Sequence, residues 1–84
     1  MATGTPPQVW TVRMTLYYRR QDGVSTVRIV TGTARGSEAA LRAFFPRKLA
    51  AIKAAMPEAT QWLDETVSYQ PQGEPRAAGW RSFP

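Results

Sequence analysis

The chain of 84 residues has no cysteine and no histidine. Without cysteine it has no disulfide framework, no thiolate metal site and no thiol nucleophile. Without histidine it also lacks the commonest general base and the commonest transition-metal ligand. A serine nucleophile needs a base, and Ser37, the one serine weighed against a lysine partner, reads better as a helix cap. Carboxylates are scarce, six against eleven Lys and Arg. Asp64 and Glu65 are sequence neighbours, so in a strand they point to opposite faces and form no catalytic pair. No cluster of oxygen ligands suits a hard cation, and neither a G-x-x-x-x-G-K-[ST] nor a GxGxxG phosphate loop occurs. The expectation is a non-enzymatic protein with no metal and no cofactor. Long apolar runs are missing as well. Nothing approaches the ~20 residues that span a bilayer, and Met1 to Gln8 hold no signal-peptide core. A cytoplasmic protein with no membrane contact is expected.

What is abundant is positive charge. The formal net charge is +5, and it is unevenly spread. Residues 1–53 carry nine basic side chains against Asp22 and Glu38, whereas residues 54–84 carry two against four acids. Such a field favours nucleic acid or an acidic protein surface as partner.

At this length the chain is one domain that hides roughly 60–65% of its unfolded surface. Residues 1–8 read as a loose N-terminal arm, 9–70 as the domain and 71–84 as a Pro/Gly-containing C-terminal tail. No internal repeat is present. From Val9 to Arg20 the even positions are Trp10, Val12, Met14, Leu16 and Tyr18, and the odd ones are mostly polar. A period of two predicts a half-buried strand. Gln21-Asp22-Gly23 signals a hairpin, and Val24 to Ala34 is the return strand, with Val27 and Ile29 expected inside and Gly32 marking a bulge. Ser37 caps a helix running to Met56 before Pro57. Pro46 falls inside it, but Leu41, Phe45, Leu49, Ile52 and Met56 keep one helical phase across the proline, which predicts a single kinked helix. Trp62 to Gln70 favours a third strand over a short helix from Pro57 to Asp64. The predicted fold is α+β, a small ββαβ domain with an antiparallel sheet and the helix across one face. The expected core is Trp10, Val12, Met14, Leu16, Val27, Ile29, Leu41, Phe45, Leu49, Ile52 and Val67.

Binding features concentrate on the solvent face of the first strand. Arg13, Tyr17 and Arg19 alternate there with threonines, and Arg28 is expected to join them from the return strand. A tyrosine among arginines on a sheet can stack a base and grip phosphates. Arg35, just before the helix, can meet an anion at the helix N-terminus. The motif and second helix of the RNA-recognition sheet module are absent. Ala43, Ala50 and Ala54 line the helix opposite its apolar stripe, a smooth ridge that a partner or a second copy can approach. Trp80 and Phe83 in the tail serve either as anchors for a partner or as docks on the domain itself. The reading is therefore a small basic binding module contacting nucleic acid through the Arg/Tyr strand face. The alternative is an inhibitor or adaptor docking on an acidic or nucleic-acid-binding protein. In size, and in pairing a short sheet with one helix, the chain is similar to small phage-encoded inhibitors, anti-CRISPR proteins among them; this resemblance is one of architecture only.

Overall fold

The computed structural model describes residues 7–73 and 79–84. The arm expected over 1–8 thus lies outside the described residues except for Pro7 and Gln8, as do residues 74–78 of the expected tail. The element order is β1 (Val9–Arg20), β2 (Ser25–Arg35), α1 (Glu38–Ala54), β3 (Ala59–Pro71) and β4 (Arg81–Phe83). The strands form one antiparallel sheet in the order β2-β1-β3-β4. This is the α+β class expected, with one strand more than expected. The stretch 71–84, read as a patternless tail, returns to the sheet at β4.

β1 is central, and its alternation decides the layering. Trp10, Val12, Met14, Leu16 and Tyr18 are all buried, and the first four join Leu41, Phe45 and Leu49 of α1 with Val67 and Tyr69 of β3 in one core. The helix begins where its sequence asks it to, since Ser37 Oγ accepts a hydrogen bond from the Ala40 amide at 3.1 Å. It then runs as one helix through Pro46. Trp10 secures the entry by donating from its indole nitrogen to the Gly36 carbonyl at 2.9 Å.

β2 faces the other way from expectation. Val27 and Ile29 are 47% and 59% exposed, and Val30 and Ala34 pack on the core in their place. The hairpin loop is the cause. A two-residue Asp22-Gly23 loop sets Ile29 beside the inward Leu16. The actual loop holds Gln21, Asp22 and Gly23, closed by an Arg20 amide bond to the Val24 carbonyl (2.8 Å), with Gly23 at φ 84°. That one extra residue pairs Leu16 with Arg28 and Met14 with Val30, so every β2 side chain changes face. Gly32 is not a bulge either, because the register through Val12–Gly32 is unbroken. Two irregularities sit in β3 instead: the register slips between Tyr17 and Tyr18, leaving Leu63 unpaired and exposed, and again between Arg19 and Arg20, passing over Thr60. Trp62 consequently lies opposite Tyr18, with ring centroids 5.6 Å apart. Glu65, a charge on the inner face, is met by the Lys53 ammonium at 2.6 Å. No helix of the described residues is long and apolar enough to cross a membrane.

Candidate docking face

α1 covers the β1–β3 part of one side of the sheet; among the described residues no element covers the other side. On the open side β1 presents Thr11, Arg13, Thr15, Tyr17 and Arg19. Register places Thr31, Ile29 and Val27 beside Arg13, Thr15 and Tyr17 on one flank. Ser68, Thr66 and Asp64 lie beside the same three on the other. Tyr17 (41% exposed), Val27 and Ile29 thus form adjoining rows of a flat apolar surface near the hairpin. An exposed isoleucine, valine and tyrosine side by side differ from single scattered apolar residues, which are ordinary on protein surfaces.

A second aromatic enters from the C-terminal segment. Trp80 is 39% exposed, and the Arg13 guanidinium lies 5.1 Å from its ring centroid, within cation–π range. Both partners remain exposed, so the pair presents a ring and a charge together. Arg19 donates to Gln61 Oε1 at 3.1 Å. Arg20, at the strand end, pairs with Asp22 at 3.1 Å.

The structure brings together Arg13, Tyr17 and Arg19 as expected and adds Trp80 to them. Arg28 departs from them. Paired with Leu16, it lies on the helix side of the sheet, a direct result of the three-residue hairpin loop. Arg35 ends β2 opposite Val9, and the next amide, that of Gly36, bonds to the Gln8 carbonyl at 2.9 Å. The helix N-terminus beyond it is occupied by Ser37 and by Glu38, whose carboxylate pairs with Arg81 at 2.7 Å, so no anion is needed there. Ala43, Ala50 and Ala54 are exposed on the outer side of α1.

Phe83 is no surface anchor. Its ring packs against Phe45 with centroids 5.2 Å apart, so it belongs to the chain's own core. Around it runs a polar network that the sequence did not signal. The buried Tyr69 hydroxyl donates to Glu38 Oε2 (2.7 Å) and accepts from Arg42 (2.8 Å). Arg42 also reaches the Ser82 carbonyl at 3.3 Å and lies over the Phe83 ring. These groups fasten β4 to the helix rather than line a cleft. Trp80-Arg81-Ser82-Phe83 reads apolar, polar, polar, apolar, so no period of two marked this segment as a strand.

No family model matches the chain, and no curated protein or solved structure matches it.

Proposed function

We propose that this protein is a non-enzymatic protein-binding module that docks on an acidic protein partner through the open face of its sheet. The observation that carries the reading is the continuous apolar surface of Tyr17, Val27 and Ile29, exposed on a sheet side that no element of the described chain covers. Protein interfaces characteristically surround an apolar and aromatic centre with a polar rim. Here Arg13, Arg19 and the threonines of β1 make that rim. The excess of basic charge in residues 1–53 gives the partner's sign, because charge complementarity steers association and selects among partners.

A nucleic-acid partner is the second reading, favoured by Tyr17 and by the Trp80–Arg13 pair, which resemble a stacking platform with one cation. It ranks second for a physical reason. Arg28 has left the face, Asp64 stands beside Tyr17, and aliphatic Val27 and Ile29 occupy places where a phosphate-tracking groove needs cations.

The test compares the full chain with Ile29→Asp, a surface change that leaves the core untouched. Proteins that co-purify with the full chain from nuclease-treated extract of its native host should be lost with the variant. Retention by Ile29→Asp overturns the docking face. Fluorescence anisotropy on single-stranded DNA and RNA separates the readings. Low-salt binding that Tyr17→Ala weakens by about 1–3 kcal/mol supports the nucleic-acid reading, and its absence removes it.

A further inference from the structure

The inner side of β2 is the second uncovered surface. α1 sits over β1 and β3, whose side chains make up the core, and only Val30 and Ala34 of β2 reach its margin. Between β2 and α1 runs a groove of about 240 Å³, lined among others by Val12, Val30, Gly32, Leu41, Phe44 and Lys48. Its walls are mostly apolar, its volume suits one or two side chains rather than a cofactor, and Phe44 stands at it 42% exposed.

Three further features give the groove a direction. β2 is the outer strand of the sheet and is eleven residues long, with an unbroken register and no proline. Natural edges are usually shortened, bulged or interrupted, because a long regular edge is a template for another strand. Gly32 lies at the groove, where a strand this rich in Val, Ile and Thr favours a branched residue. A Cβ added there meets nothing within 4 Å, so glycine is not required by crowding, and its effect is to keep the groove open. Finally, the flanking charge has one sign. Lys48 lines the groove and Arg28 projects from the same side of β2. Among the described residues neither belongs to an ion pair, and no acid lines the groove.

We infer that β2 receives an extended peptide segment of a partner protein as an added strand, whose groove-side positions, every second residue, place apolar side chains in the β2–α1 groove and an acidic one beside Lys48 or Arg28. Main-chain hydrogen bonds to the open edge give such binding its affinity, and the groove reads every second side chain. A second copy of β2 is the poorer occupant, because it brings more arginines and no acid to an edge that already has none to neutralise it. This site lies on the opposite side of the sheet from Tyr17 and Ile29 and stands independently of the docking face.

The test selects a random octapeptide library on the full chain. The enriched peptides should carry apolar residues and an Asp or Glu at positions spaced by two, which share the groove side. Their affinity should fall at least tenfold with Gly32→Val, which fills the groove, and with Lys48→Glu, while Ile29→Asp leaves it unchanged. The melting temperature of Gly32→Val should match or exceed that of the parent, and Phe44→Ala, a surface truncation, gives a second route to the same loss. Failure to enrich any peptide over an unrelated protein overturns the inference, as does enrichment of basic peptides. So does parent-level affinity retained in both Gly32→Val and Phe44→Ala. A dimer in sedimentation that Gly32→Val dissolves makes the occupant a second copy and equally overturns it. Loss of peptide binding in Ile29→Asp alone moves the peptide to the open face.

Discussion

Leu49 and Ala50 are neighbours with opposite fates. Leu49 is buried against the sheet, and Ala50 faces outward on the far side of α1. Leu49→Ala should cost about 2–5 kcal/mol through lost transfer energy and a residual cavity. Ala50→Ser should cost about 0.5 kcal/mol or less, from helix propensity alone. Urea unfolding of both variants checks this, and equal midpoints contradict the assignment of faces. Both positions were legible in the sequence, because an apolar stripe at 100° per residue states its own phase. Glu65 was not legible. Its alternation puts a charge on the inner face of β3, and only the chain's return places Lys53, at the end of α1, within reach of it. A partner twelve residues away on another element leaves no periodic trace.

At the level of elements, the sequence showed the first three strands and the helix but not how the strands register. Asp-Gly announces a hairpin, yet loops of two and of three residues share that signal and turn β2 in opposite directions. The exposed Val27 and Ile29, which carry the docking face, follow from that single residue of loop length. The same ambiguity misplaced Arg28. The bulge at Leu63 was invisible for the same reason, since an inserted residue changes pairing and not composition. β4 was hidden by brevity. Three residues cannot show a period, and what holds them is tertiary: the Phe83–Phe45 contact, the Arg81–Glu38 pair and the reach of Arg42 to the Ser82 carbonyl. Phe83→Ala should therefore release β4 specifically, at a cost of about 1–3 kcal/mol, less than for a fully buried phenylalanine. Hydrogen exchange should quicken at the amides of Val67–Tyr69 that face β4 while the β1–β2 ladder keeps its protection. Uniform acceleration across the sheet contradicts a locally fastened strand.

The whole molecule is one sheet with one helix on it, 18 Å through its thinnest dimension. A second layer is what usually hides the other side of a sheet, and here the described chain supplies none. The uncovered side and the uncompensated charge belong together. Each of the three ion pairs among the described residues is partly exposed, so each contributes at most about 1 kcal/mol, while the cations of β1, β2 and α1 repel one another. Salt acts on both terms, since the Debye length falls from roughly 10 Å at 0.1 M to about 3 Å at 1 M. With net charge +5 the relief of repulsion outweighs the loss of pairs. Raising sodium chloride from 0.02 to 0.5 M should therefore stabilise the free chain, by ~0.5 kcal/mol or about 2–4 °C in melting temperature. The same salt should weaken the complex with an acidic partner, mostly through a slower association rate, because steering is the electrostatic part and apolar contact governs residence. Opposite responses of stability and binding identify charge held for a partner at the fold's expense. Scanning calorimetry across that salt range decides the first half. A falling melting temperature means that the ion pairs dominate, and the basic surface is then part of the fold's own stability rather than a docking field.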